Sequence, residues 1–306
     1  MAKSHIISAI CTPLTDDEDL HHDGLLTHLD QQTEAGINGI LVAGTMGLLQ
    51  LLKDSTYEQL VKASVEYWHG NGEVLVGVGD ASYERTKERI QFVNRFSVDG
   101  TVALAPYFIK LTQPELVDYF TSLANVSRAP LFLYDLPQRT GTNLSVETVT
   151  QLARHPNIAG IKCSGDIVQA RRLHDSLRSS GFRVIMAQPL MFDVLLSNGV
   201  EQHLDGMFAI APSWARDIAD AVESNDLVRA AEGVHRIGQF LDVLIKYGVF
   251  PTAALLLNRL GVAGNCLPRP LAKLSLEFKE LMLQEDIIQQ LIHDRNKMIA
   301  RSAIGV

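Results

Sequence analysis

The sequence predicts an α/β fold: a closed (β/α)8 barrel of the TIM type followed by a C-terminal helical extension. Three observations carry that expectation. Eight short apolar or β-branched runs alternate regularly with longer segments of helical period. The runs are apolar almost throughout, as strands buried on both faces are. No Gly-x-Gly-x-x-Gly follows the first run, which favours a closed barrel over an open dinucleotide-binding sheet. The 306 residues, 46% of them hydrophobic, exceed the roughly 250 that a barrel needs, so an added piece is expected.

In chain order, the strands are expected at Ile6 to Cys11, Gly39 to Ala43, Val74 to Val78, Thr101 to Ala105, Leu131 to Tyr134, Ala159 to Lys162, Val184 to Ala187 and Gly206 to Ile210. Amphipathic helices fall between them at Asp23 to Ala35, Ser55 to His69, Ser82 to Phe96, Gln113 to Val126, Ser145 to Arg154, Val168 to Ser179 and Pro189 to Asn198. Each begins near a Ser, Asp, Thr or Pro suited to a first turn, and several end at Gly or Asn. Beyond about residue 225 the strand signals stop. Asp226 to Tyr247, Pro251 to Leu260 and Pro270 to Ala303 then read as helices. The barrel is therefore expected over residues 1–225 and the helical extension over 226–306.

Composition removes several function classes. A formal charge of −8 with no basic stripe opposes binding to a phosphate backbone, so no nucleic-acid partner is expected. The three cysteines, Cys11, Cys163 and Cys266, show neither CxxC nor Cys/His ligand spacing, which indicates no disulfide framework, no structural zinc and a reducing compartment. The longest apolar run, near Gly39 to Leu52, is too short to span a bilayer, and the N-terminus turns acidic before a signal peptide could develop. A cytoplasmic protein with no membrane partner is expected. His21, His22 and His28 begin a polar helix with no carboxylates converging on them, so they read as solvent-facing rather than metal ligands. Cys163 is expected to point to the helical layer as a small hydrophobe.

Chemistry in such barrels sits at the C-terminal ends of the strands. There the sequence places Gly44-Thr45-Met46-Gly47 after strand 2, Tyr107 and Phe108 after strand 4, Tyr134-Asp135 after strand 5, Lys162-Cys163-Ser164 after strand 6, Gln188 after strand 7 and Phe208 near the end of strand 8. Lys162 closes an apolar strand, where low-dielectric surroundings favour the neutral, nucleophilic amine. Pairing with a carboxylate at the barrel mouth is its other reading. Tyr134 ends the neighbouring strand, so its phenol can serve as general acid and base on a carbinolamine, or simply fill the rim. The Gly-Thr turn offers successive N–H groups suited to a carboxylate. A lysine, a tyrosine and an anion-binding turn at three strand ends suggest an imine-forming lyase acting on a 2-oxo acid.

Thr12-Pro13, Gly44-Thr45-Met46-Gly47, Pro106-Tyr107, Tyr134-Asp135-Leu136-Pro137 with Arg139-Thr140-Gly141, and Gly160-Ile161-Lys162 resemble, in order and spacing, the dihydrodipicolinate synthase / N-acetylneuraminate lyase family of class I aldolases. The resemblance covers the whole chain. It implies that Lys162 forms a Schiff base with pyruvate or a pyruvyl group. By the same resemblance Tyr134 relays protons, the Thr45 hydroxyl links Tyr134 to a further tyrosine, and the N–H groups of Thr45 and Met46 hold the pyruvyl carboxylate. Arg139 matches an arginine that receives the carboxylate of an incoming aldehyde in the synthases, and it also reads as an exposed loop arginine. The resemblance further implies catalysis without cofactor or metal and a homotetramer built as a dimer of dimers.

The departures from the family pattern bear on specificity. Gly-Thr-Met-Gly-Leu stands where Gly-Thr-Thr-Gly-Glu or Gly-Ser-Thr-Gly-Glu is usual, and a Leu at position 48 is familiar from 2-keto-3-deoxy sugar-acid aldolases. Phe108 replaces the tyrosine that crosses to a partner subunit in many relatives, so it brings no hydroxyl to the relay. The loops after Lys162 and at Ala187-Gln188-Pro189 also differ, which points to a changed acceptor. The sequence thus suggests a lyase or aldolase for a 2-keto-3-deoxy sugar acid or a similar 2-oxo acid. A dihydrodipicolinate synthase and a non-catalytic 2-oxo acid-binding homologue remain as alternatives.

Overall fold

Seven of the eight expected strands form within a few residues of their predicted places. The computed structural model, which describes residues 3–304, closes eight parallel strands into one barrel in sequential order. The elements are β1 (His5–Ala9), α1 (His22–Glu34), β2 (Gly39–Val42), α2 (Asp54–Trp68), β3 (Glu73–Gly77), α3 (Tyr83–Val93), β4 (Gly100–Leu104), α4 (Gln113–Val126), β5 (Leu131–Asp135), α5 (Pro137–Thr140) and α6 (Val146–Leu152). They continue with β6 (Ile158–Cys163), α7 (Ile167–Leu177), β7 (Arg183–Met186), α8 (Phe192–Ser197), β8 (Gln202–Asp205), α9 (Gly206–Ile210), α10 (Pro212–Glu223), α11 (Leu227–Tyr247), α12 (Val249–Arg259), α13 (Leu276–Gln284) and α14 (Asp286–Ile304). β1 pairs with both β2 and β8, so no strand edge is left open.

The eighth strand corrects the expectation. It is Gln202–Asp205, and the apolar run Gly206–Ile210 predicted to be a strand is the short helix α9. Only the two central residues of β8, His203 and Leu204, are buried, because its ends serve polar roles at the two mouths of the barrel. The Asp205 side chain accepts from the Met207 N–H at 2.9 Å and starts the helix, an N-cap that outweighs the strand propensity of Met-Phe-Ala-Ile. α10 was also not anticipated, and the single helix expected over Pro270 to Ala303 divides into α13 and α14, each with its own start.

Inside the barrel, alternate residues form stacked layers: Ile7, Leu41, Leu75, Val102, Phe132, Ile185 and Leu204 belong to one buried cluster. Phe132 occupies the middle because its neighbours lack side chains. A Cβ on Gly100 of β4 would lie 2.5 Å from its ring, and one on Gly160 of β6 would lie 2.8 Å from it. One pleat repeat above Phe132 stands Tyr134, paired in register with Lys162 on β6. Below, the first residues of four strands make a charged floor. Arg183 bonds Glu73 through both oxygens and Gln202 at 2.6 Å, while His5 Nε2 lies 2.7 Å from Glu73 Oε2.

The outer strand faces pack on α1–α7, and Cys163 lies in that layer as expected. His28 does not face solvent: it is fully buried, its Nε2 accepts from the Cys11 N–H at 3.3 Å, and burial pushes its imidazole down to about 4. The polar residues elsewhere in α1 hid its place beside Leu25 and Leu29 on the inner face. His21 caps that helix, accepting from the Gly24 N–H at 3.1 Å. The extension shares a core with the last barrel helices, in which Trp214, Phe240, Leu244, Met282 and Leu291 are buried. Among the described residues no single helix is long and apolar enough to cross a membrane; α11 and α12 pass that test only together and are bent by 116° at their junction.

Candidate active site

The register of β5 and β6 brings the two predicted catalytic side chains together. Tyr134 and Lys162 sit opposite one another, each 5% exposed, with Lys162 Nζ 4.0 Å from the centre of the Tyr134 ring. The amine donates to Ser164 Oγ at 2.9 Å. Its hydrogen-bond partner is thus a neutral hydroxyl and not the carboxylate that a structural ion pair would use. The Tyr134 hydroxyl lies 3.2 Å from Thr45 Oγ1, so a hydrogen bond joins the phenol to the loop after β2.

That loop is held from both ends. Thr12 Oγ1 donates to the Gly47 carbonyl at 2.8 Å, the Leu48 N–H returns to the Thr45 carbonyl at 3.2 Å, and Leu49 donates to the Gly44 carbonyl. Among the described residues, the N–H groups of Thr45 and Met46 have no acceptor, as a carboxylate-binding turn requires. The Met46 side chain packs on Gly206, where a Cβ would lie 2.1 Å from its Cγ. This contact ties the turn to α9.

Thr45, Met46, Tyr134, Lys162 and Ser164 line one cavity of ≈ 210 Å³, and Asp205 completes it. Sequence reasoning missed Asp205 because it placed β8 four residues too late. An acidic residue before a Gly at the end of a short run was the available signal. Burial pushes the Asp205 carboxyl above its usual range, and the Lys162 ammonium opposes that shift. Asp135, next to Tyr134, points the other way. It accepts from the Leu144 N–H at 2.9 Å and secures the loop that carries Arg139.

A second, outer chamber of ≈ 300 Å³ shares Thr45 and Leu136 with the first. Tyr107 and Arg139 belong to it, and Arg139 lies 5.8 Å from the ring of Phe250, which the extension supplies from α12. Gly44 and Gly47 shape the turn without lining either cavity, and two further predicted residues fall elsewhere. Phe208 is 1% exposed in the core against Phe192, with ring centres 5.3 Å apart, because its segment is helix and turns the ring away from the mouth. Gln188 donates to the Gly165 carbonyl at 2.9 Å and braces the loops after β6 and β7, outside the lining of both cavities. Among the described residues no group of three or more His, Cys, Asp or Glu side chains is arranged to hold a metal ion.

A buried lysine, a tyrosine, a threonine and a free N–H turn at the C-terminal mouth of a barrel define a lysine-dependent class I lyase or aldolase. Residues 2–290 match the Dihydrodipicolinate synthetase family, and the chain belongs to it. The 4-hydroxy-tetrahydrodipicolinate synthase of Methanoculleus marisnigri is 32% identical over 74% of this chain and 78% of its own length. The synthase of Stenotrophomonas maltophilia is 30% identical over 90% of this chain and 92% of its own. Among solved structures, YagE, a prophage protein of the dihydrodipicolinic acid synthase family from E. coli K12 in complex with pyruvate, superposes with a TM-score of 0.86. It is 22% identical and covers 94% of this chain and 98% of its own, a likeness that shows the fold. Members of the family are Schiff-base lyases and aldolases, and this protein is an enzyme of that class.

Proposed function

We propose that the protein forms or cleaves a 2-oxo acid through an imine between Lys162 and pyruvate. The observation that carries this reading is the pairing of Lys162 with Tyr134 over one cavity whose turn at Thr45 and Met46 offers two free N–H donors. The Lys162 amine attacks the keto carbon, the carbinolamine oxygen leaves as water, and the protonated imine draws electrons from C3. Tyr134 gives and takes the protons of these steps with Thr45 as its contact. Asp205 is the second acid in the same cavity. The N–H groups of Thr45 and Met46 neutralise the pyruvyl carboxylate, which orients the keto carbon toward Nζ.

Arg139 in the outer chamber supports the dihydrodipicolinate synthase alternative, since a guanidinium suits a carboxylated aldehyde. Leu48 in the same wall is the residue on which the sugar-acid reading rests, yet as a wall it hydrogen-bonds no hydroxyl. We also propose a homo-oligomer, a dimer of dimers: Phe108, 93% exposed on a backbone with φ of +80°, and Ile109, 63% exposed, form an apolar tip beside Tyr107 that suits a partner subunit. Three free, buried cysteines support a reducing compartment, the cytoplasm.

Intact mass after incubation with pyruvate and borohydride tests the central step, because reduction fixes an imine. One adduct on the parent protein and none on Lys162→Ala is expected. No adduct on folded parent protein, or an equal adduct on the variant, overturns the reading. Pyruvate binding without an adduct would identify a non-catalytic 2-oxo acid-binding homologue.

A further inference from the structure

Resting on that reading, we propose that the second substrate is an aldehyde with an apolar body, aryl or branched alkyl, and not a polyhydroxylated or zwitterionic one. The outer chamber adjoins the Lys162 cavity, with Thr45 and Leu136 lining both, and so offers the aldehyde a place beside C3 of the enamine. Its walls are Leu48, Leu51, Leu104, Leu136, Leu271 and Phe250. An apolar cavity of roughly 150 Å³ is large enough for benzene. At ≈ 300 Å³ this chamber has room for a ring with substituents.

Two hydroxyls of the chamber are committed to the protein: Thr45 Oγ1 is 3.2 Å from the Tyr134 hydroxyl, and Thr140 Oγ1 lies 2.8 Å from the Thr142 carbonyl. The exposed Gln50 and the half-buried Tyr107 complete the neutral polar lining, which the six apolar walls outnumber. A sugar-derived aldehyde would bring several hydroxyls against leucines, and each buried hydroxyl left without a partner opposes binding. No carboxylate lines the chamber among the described residues, so an ammonium on the aldehyde would also be unpaired. Arg139 remains at the rim, where its guanidinium already lies over one aromatic ring and can receive an anionic substituent or a second ring. Leu48 holds its buried side chain in this wall from a left-handed backbone, φ +54°, a conformation unfavourable for a leucine.

The step balances as an aldol addition. The enamine C3 forms a bond to the aldehyde carbon, the carbonyl π electrons pass to oxygen, and that oxygen takes a proton from the cavity acids. Water then hydrolyses the imine, replacing the water lost when it formed, and releases a 4-hydroxy-2-oxo acid with Lys162 restored.

The test supplies pyruvate with benzaldehyde, isobutyraldehyde or D-glyceraldehyde and follows the 4-hydroxy-2-oxo acid formed, with the borohydride adduct measured on the same protein. A kcat/KM for benzaldehyde or isobutyraldehyde at least about tenfold above that for glyceraldehyde is expected. Phe250→Ala is expected to raise the KM for benzaldehyde about tenfold and to narrow the preference. Adduct formation with glyceraldehyde preferred, or with no apolar aldehyde used, overturns the substrate class and leaves the imine reading intact. Absence of the adduct overturns both.

Discussion

Glu73→Gln probes the charged floor that closes the barrel below the site. Glu73 is the first residue of β3, and its side chain is only 10% exposed. Burial alone would raise its carboxyl, but hydrogen bonds from His5 and Arg183 outweigh that and hold it at about 2 against an ordinary 4.5. A depression of that size corresponds to about 3 kcal/mol of native stability at neutral pH. Because the folded pKa lies below the unfolded one, this contribution is complete above pH 4.5 and disappears as pH falls toward 2. Glutamine keeps the shape and removes the charge, leaving the half-buried Arg183 guanidinium beside Phe132 without its counterion. Urea titrations from pH 7 to pH 2.5 should show the variant about 3 kcal/mol less stable at pH 7 and converging on the parent in acid. The melting temperature at pH 7 should fall by ~5–10 °C. A difference under about 0.5 kcal/mol at pH 7, the size of an ordinary surface substitution, would refute the reasoning. So would a gap that does not close on acidification.

Two further substitutions separate catalysis from packing. Asp205→Asn keeps an oxygen to accept from the Met207 N–H and removes the carboxyl. Since burial raises that carboxyl, native stability is lost as pH rises from the unfolded toward the folded pKa, so the variant should melt higher than the parent at pH 7 while turnover falls ~10–100-fold. A variant no more stable and just as fast would exclude Asp205 from proton transfer. Phe108→Tyr should raise turnover where the missing hydroxyl limits the relay, measured by pyruvate C3 proton exchange; an unchanged rate would show that the chain of hydroxyls ends at Thr45.

Much of the site was legible because its residues lie at the ends of strands whose apolar period is unambiguous. Lys162 and Tyr134 could be placed on neighbouring strands from order alone, and the Gly44 to Gly47 turn from its glycines. Asp205, Ser164 and Phe250 were not assigned to the site. The first was hidden by a strand of mixed polarity, the second is a hydroxyl with no motif of its own, and the third belongs to an extension whose docking angle is set by packing between α10, α11 and α12. His28 misled for another reason: the helix as a whole is rich in polar residues, but His28 shares its buried face with Leu25 and Leu29, where a neutral imidazole meets the Cys11 N–H.

The sequence by itself determined the number and order of strands, the residues at seven of the eight strand ends and the place of Lys162 at the end of the sixth, because periodicity and strand order are local properties of the chain. The tertiary structure alone decided the register that puts Tyr134 opposite Lys162, the carboxyl that faces them, and the apolar chamber beyond Thr45. Those depend on barrel closure and on a helix more than a hundred residues from Thr45 folding back over the mouth, and such long-range placements leave no periodic trace in sequence.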